Sequence, residues 1–386
     1  MFIYEQAWLE HPDTFTFSPD LTLASGPQYQ RASGDSSPFP LAVADTEPEA
    51  WGRRVIMRDH AKRRQKDPTI GPLTEMDILS AVDDESRIGA IRLREGDTFI
   101  RAAQPGRRRT PILVALKRLH QATVALERNT ETQADLDYLL GKGTSLGGLR
   151  PKSSIHYDGV LAIGKFPSVS DQRSVTRAEV LALHLAARAG IQIANSRIVV
   201  VDDVPVAVID RFDRRDGGRI PYLSAHSFVA GATEATYLDI AEQIRANGAS
   251  TWRADLEELW RRLVFNLLIT NVDDHLHNLG FLHERAGRWR LSPAFDLNPF
   301  PERARESKTM LSDRDGPISE LSALVGRAAD FGLTTHRAKQ IIGDVHVVVA
   351  DWRTTAQTQA VGMSRREQDD FQGAFAHDQM DAAARI

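Results

Sequence analysis

The sequence predicts an α+β protein: a mixed α/β part at the N-terminus, a sheet-based middle and a mainly helical C-terminal half. Three observations carry this. Up to about residue 110, short alternating apolar and polar runs are interrupted by breakers. From Gly141 the pattern becomes strand, helix, strand, strand. Beyond about residue 220 the helical period dominates, and "ADLEELWRRLVFNLLI" sets Leu256, Leu259, Trp260, Leu263, Val264, Leu267 and Leu268 on one face.

In chain order, "MFIYEQAWL" and "TFTFSPDLTL" alternate as half-buried strands do, and "GPQYQRASGDSSPFP" reads as a loop. "EPEAWGRRVIMRDHAKRRQK" predicts a helix ending in a basic, solvated cluster. "SRIGAIRLR" is strand-like, and "GRRRTP" (Gly106 to Pro111) reads as a linker before the helix "ILVALKRLHQATVALER". Val160 to Phe166, "VLAIGKF", predicts a strand. "SVTRAEVLALHLAARAG" predicts a helix with Ser174 as N-cap and Gly190 just past its end, where a left-handed backbone costs glycine little. "RIVVVDDVPVAVIDRF" predicts two strands joined near Asp203 to Pro205. "GFLHE" and "WRLSP" predict a short strand pair, and "PERARESKTMLSDRDGP" a mobile polar loop. The expected division is 1–110, 111–215 and 216–386.

The chain has 386 residues, enough for two or three domains with their own cores. A net charge of -4 argues against a surface that binds nucleic acid throughout. With no cysteine there is no disulfide, no thiolate nucleophile and no Cys-ligated zinc, which fits a cytoplasmic protein. No apolar run spans a bilayer, and the first residues lack the pattern of a signal peptide.

Three constellations carry chemistry. "GKGTSLGGLRPK" has four glycines, which permit tight turns with amides facing a phosphate; by itself this is an ordinary loop, and it lacks the GK[ST] ending of a P-loop. Lys165 sits in a strand that otherwise looks buried. The bland reading is an edge-strand lysine reaching for water. The sharper one notes the order: Gly-rich loop, strand lysine, then Glu179 on the next helix, as kinases hold nucleotide phosphates. The third is "ITNVDDHLHNLGFL" with its sequel "AFDLNPF". Phosphoryl transfer needs a carboxylate to take the acceptor's proton and oxygen ligands for magnesium. Asp273, Asn278 and Asp296 supply these in order and spacing. Asp274 reads as a helix-end cap and His277 as an exposed imidazole. His275 and His277 beside acids also leave open a metal-dependent hydrolase.

The set resembles the HipA-like serine/threonine kinases, the toxins of type II toxin-antitoxin modules, over most of the chain. "GTSLGGLRPK", "IGKFPS", "AEVLALHLAARAGI", "IDRFDR", "NVDDHLHNLGFL" and "LSPAFDLNP" carry the likeness. It implies a two-lobed protein-kinase-like domain behind the N-terminal subdomain, with ATP and Mg²⁺ between the lobes. Asp273 would be the catalytic base, with His275 near the phosphates or the base loop, and Asn278 and Asp296 would hold Mg²⁺. Gly147, Gly148, Lys152 and Lys165 would contact nucleotide phosphates, and Asp210 and Phe212 would lie at the hinge beside adenine. Ser145 falls where the family has an inhibitory autophosphorylation serine. The implied partners are a protein of the translation machinery, such as an aminoacyl-tRNA synthetase, as substrate, and a helix-turn-helix antitoxin through which DNA is met indirectly. A catalytically silent scaffold acting as co-repressor with that antitoxin is the alternative. Lys308, with its neighbouring arginines, would face an acidic or RNA-bearing substrate.

Overall fold

A computed structural model describes residues 1–30, 37–102, 112–140, 149–232, 234–302 and 306–386, with backbone alone for 112–114. The chain forms two compact units. One comprises 31–176 and 197–221; the other comprises 1–30, 177–196 and 222–386.

In the first unit, Ala50–Lys66 (α1) and Ile112–Glu127 (α2) are helices, the second with the apolar spacing of an amphipathic helix. Four strands, Lys152–Tyr157 (β1), Val160–Lys165 (β2), Ser196–Val201 (β3) and Val204–Asp210 (β4), form one sheet in the order β1-β2-β4-β3. The turn between β3 and β4 falls on Asp202 and Asp203, both at positive φ, a backbone that suits a tight hairpin. The core joins Trp51 and Val55 of α1, Leu116 and Leu119 of α2, and Ala162, Val206 and Val208 of the sheet.

The predicted strand "SRIGAIRLR" does not form. Only Arg94–Glu95 pairs there, with Thr98–Phe99. Arg87 is buried and donates to the carbonyls of Leu79 and Val82, so this stretch follows an ionic anchor instead of a ladder. Ser174 precedes its helix, but its buried hydroxyl finds no hydrogen-bond partner, so the expected side-chain cap is absent. Gly190 does adopt a positive φ of 81°.

In the second unit, helices Val175–Arg188 (α3, from Arg177 onward), Tyr237–Asn247 (α4), Trp252–Leu268 (α5) and Thr335–Ala350 (α6) dominate. All seven predicted apolar residues of α5 are buried, and the helix packs on α4 and α6. Strands Tyr222–Ser224 (β5), Gly280–Arg285 (β6) and Arg288–Leu291 (β7) make an antiparallel sheet with β6 in the middle.

The two N-terminal strands do not form. Residues Gln6–Leu9 are helical, and Phe2 makes one isolated bridge to Gln28. The aromatic side chains that suggest alternation instead pack together, Phe2 on Tyr4 at 4.8 Å and on Phe17 at 5.4 Å. Phe15 stacks on His283 at 4.0 Å. From Ser307 the "SKTMLSDRDGP" stretch is a built element, not a loose loop. Met310–Ser312 (β8) pairs with Gly316–Pro317, and Thr309 and Leu311 are buried.

Candidate active site

The acidic loop of the second unit is positioned by how α5 ends. Thr270 has a φ of 54°, rare for a β-branched residue. Its amide bonds Leu267 O and the amide of Asn271 bonds Asn266 O, the paired 5→2 and 6→1 pattern of a Schellman ending. Glycine normally takes this place. Here the strained threonine is held by its own hydroxyl, which donates to Ala374 O at 3.0 Å, and by its carbonyl, which accepts from Phe300 N. The chain therefore leaves the helix in a fixed direction.

The two acids that follow have opposite surroundings. Asp274 is buried and accepts from the Tyr237 hydroxyl at 2.6 Å and the Lys308 amide at 2.7 Å, while its carbonyl accepts from the Thr309 hydroxyl at 2.7 Å. It is not a helix-end cap: α5 has already ended at Ile269, and Asp274 ties the loop to α4 and to the segment before β8. Burial pushes its carboxyl above the ordinary value, against the pull of these donors, and burial with Asp274 beside it pushes the Tyr237 phenol well up. Asp273 stays partly exposed and forms an ion pair with Lys308 Nζ.

Asn278 closes the loop. Its side-chain amide donates to Asp273 O at 2.7 Å, and its backbone amide donates to His275 O at 2.8 Å. The side-chain nitrogen is thus committed to the loop's own backbone. Asp296 follows β7 at a φ of 57°, a strained backbone of the kind found at working sites. Asn298 donates to Asp296 Oδ1 at 3.2 Å and takes its own backbone orientation from Asn271 Oδ1 at 3.3 Å. Asn278, Asp296 and His275 line one small cavity of about 30 Å³. An amide and a carboxylate beside a water-sized space offer the oxygen chemistry that a hard divalent cation such as Mg²⁺ takes. His275 keeps Nδ1 buried without a hydrogen-bond partner, and His277 is exposed as expected, stacked 4.9 Å from His226. Among the described residues no group of three or more His, Asp or Glu is arranged to hold a metal.

In the first unit, Lys165 does not lie on an edge: β2 runs between β1 and β4, and the side chain is 8% exposed, so the solvent-seeking reading fails. Its cross-strand neighbour is Lys152, also buried. Asp210 accepts from Arg197 Nη2 at 2.7 Å, and Arg197 lies over the Tyr157 ring. Phe212 follows β4 and is half-buried. Ser145, Gly147 and Gly148 lie outside the described residues, as does the whole of the expected linker.

Sequence reasoning missed Tyr237, Asn271, Asn298 and the hold of Lys308 on Asp273. Asn298 carried a faint signal, lying two residues past Asp296 in a motif already singled out. The others act across long sequence separations.

One unit is thus strand-rich and carries paired lysines, and the other is helical and carries an acid, an amide and a second acid on tightly held loops. Residues 144–352 match the HipA-like C-terminal domain, and the chain belongs to that family. Among solved structures, the chain is similar to HipA in the Shewanella oneidensis MR-1 complex of HipA, HipB and operator DNA. The identity is 15%, covering 98% of this chain and 90% of that one, with a TM-score of 0.67. A weaker likeness is to the Helicobacter pylori proinflammatory kinase CtkA, at 15% identity, 62% and 89% coverage and a TM-score of 0.47. No curated protein matches the sequence. No helix among the described residues is long and apolar enough to cross a membrane.

Proposed function

We propose that this chain is the kinase toxin of a toxin-antitoxin pair, transferring the γ-phosphoryl group of ATP to a protein serine or threonine. The observation that carries this is the closed acidic loop. Asn278 donates to the carbonyl of Asp273 while facing the same cavity as Asp296. In this reading Asp273 takes the proton of the acceptor hydroxyl. The acceptor oxygen forms a bond to the γ-phosphorus, and the bond from phosphorus to the β–γ bridging oxygen breaks, its electron pair leaving with ADP. Asn278 and Asp296 would hold Mg²⁺, which when bound neutralises phosphate charge.

Lys165 and Lys152, paired across β2 and β1, would contact the nucleotide phosphates, positive charge meeting negative. Gly147 and Gly148 would offer amides, Asp210 and Phe212 would flank adenine, and His275 would assist at the loop. Asp210 serves adenine only if its bond from Arg197 is kept or exchanged. The working parts would be an N-terminal subdomain over 1–110, a small lobe over 111–215 and a large lobe over 216–386.

Autophosphorylation of Ser145 would add a charge of roughly −1.5 to −2 to the Gly-rich loop and switch the enzyme off. The substrate class proposed is a protein of the translation machinery, such as an aminoacyl-tRNA synthetase. The Shewanella complex contains HipB and operator DNA. By likeness, a helix-turn-helix antitoxin would carry this chain to DNA.

The test is incubation with γ-labelled ATP and Mg²⁺. Wild type transfers label to Ser145. Asp273→Ala is slower by on the order of 10²–10⁴-fold, and Asp296→Ala is partly restored by high Mg²⁺. Wild-type ATP binding with no transfer would overturn the kinase reading in favour of a silent scaffold.

A further inference from the structure

Lys308 comes from outside the acidic loop, yet the fold delivers it there with unusual care. Its amide donates to Asp274 Oδ1 at 2.7 Å. The next residue, Thr309, donates its hydroxyl to Asp274 O at 2.7 Å. The preceding Ser307 donates its hydroxyl to Thr309 O at 2.7 Å, accepts from Ile318 N–H at 2.7 Å and returns its own amide to Ile318 O at 3.1 Å. Residues on both sides of Lys308 are therefore fixed to the loop and to the strand pair beyond. From that fixed backbone the side chain, half exposed, reaches Asp273.

As a stabilising device this ion pair is weak, because exposed pairs contribute about 0–1 kcal/mol. The stronger hold is on the backbone: one oxygen of a buried carboxylate, costly to desolvate, takes the Lys308 amide while the other takes the Tyr237 hydroxyl. An ammonium has three donors and no acceptor, so one bond to Asp273 leaves two for another anion. A base must stand within hydrogen-bond reach of the acceptor hydroxyl. A cation on that base consequently stands beside the phosphoryl group in flight.

We infer that Lys308 is a phosphate-contacting catalytic residue, its ammonium shared between Asp273 and the transferred phosphoryl group, and that Asp274 is the positioning residue that puts it there. This rests on the kinase reading above. During transfer the acceptor oxygen bonds to phosphorus, ADP departs with the electron pair and Asp273 takes the proton. The Lys308 proton stays on nitrogen throughout, balancing charge on the equatorial oxygens.

The experiment compares wild type, Lys308→Met and Lys308→Arg with γ-labelled ATP, Mg²⁺ and a serine-containing acceptor, alongside melting temperatures. Lys308→Met should lower kcat by on the order of 10²–10³-fold with KM for ATP and melting temperature unchanged. Lys308→Arg, which keeps the charge, should recover to within about tenfold of wild type. A merely structural lysine would move the melting temperature or KM instead. Wild-type kcat in Lys308→Met, or an arginine variant no better than the methionine one, overturns the inference and leaves the kinase reading standing. Wild type without any ATP-dependent transfer overturns both.

Discussion

Tandem acids show how little residue type decides alone. Asp273 and Asp274 are chemically identical neighbours, but one remains partly exposed with a lysine on it, and the other is buried and raised by burial. Asp255, in the first turns of α5, is a third case. Burial, with Glu258 close by, pushes its carboxyl up to about 6, against the pull of the Leu291 amide, the Thr251 hydroxyl and Arg262. An unfolded aspartate titrates near 3.9. Between these values the folded chain holds the proton more tightly than the unfolded one. Its stability contribution is therefore complete below about pH 4 and lost as pH rises through 6. At pH 7 the ionised group costs on the order of 3 kcal/mol. Asp255→Asn is expected to raise stability by about 1–2 kcal/mol at pH 7 and to do nothing at pH 4. Urea denaturation at both values reads this directly, and equal effects at the two would refute it.

At the scale of elements, the acidic loop is held from α4 as much as from α5. Thr236 and Asp239 form a reciprocal capping box that fixes the start of α4, and Tyr237 follows at once, its hydroxyl on Asp274. Tyr237→Phe removes that donor while leaving Asp274 buried. The expected cost is about 1–3 kcal/mol, with faster amide exchange through 271–279 and a lower phosphotransfer rate. Unchanged exchange in those residues would show that α4 does not brace the loop. Gly248, which ends α4, is a second constraint: a Cβ there would lie 2.2 Å from Ile244 O and 2.7 Å from Trp252 Cβ. Gly248→Ala should therefore lower the melting temperature, since backbone cannot yield as a flexible side chain can.

At the scale of the molecule, one unit carries a buried electrostatic anchor. In the unit containing the four-stranded sheet, Asp213 is buried with Arg211 and Arg214 on its carboxylate and the Gly89 amide at 2.7 Å. Burial pushes this carboxyl up, but the two guanidinium groups outweigh it and hold it below the ordinary value. Its contribution is thus present above the usual carboxylate range and fades as pH falls through its lowered value, opposite in sign to Asp255 in the other unit. Asp213→Asn leaves buried guanidinium charge uncompensated and should cost about 3–5 kcal/mol. Loss of hydrogen-exchange protection should concentrate at 86–89 and 211–214. Loss centred instead on α5 would contradict the assignment.

The sequence alone determined the periodic elements and set out the candidate reactive residues. α2 and α5 were legible because a 3.6-residue apolar spacing has no other cheap reading, and the strands flanking Asp202 and Asp203 because two β-branched runs met at a turn. Asp273, Asn278 and Asp296 were legible as a chemical pattern. Only the tertiary structure decided which acid stays accessible, how Thr270 rather than a glycine ends α5, and that Lys308 meets Asp273. It also decided that the aromatic residues near the N-terminus cluster instead of forming strands. The reason is common to all four. Spacing along a chain reports local geometry, whereas burial, strain and charge pairing depend on partners such as Ala374, Tyr237 and Lys308 that are brought near only by folding.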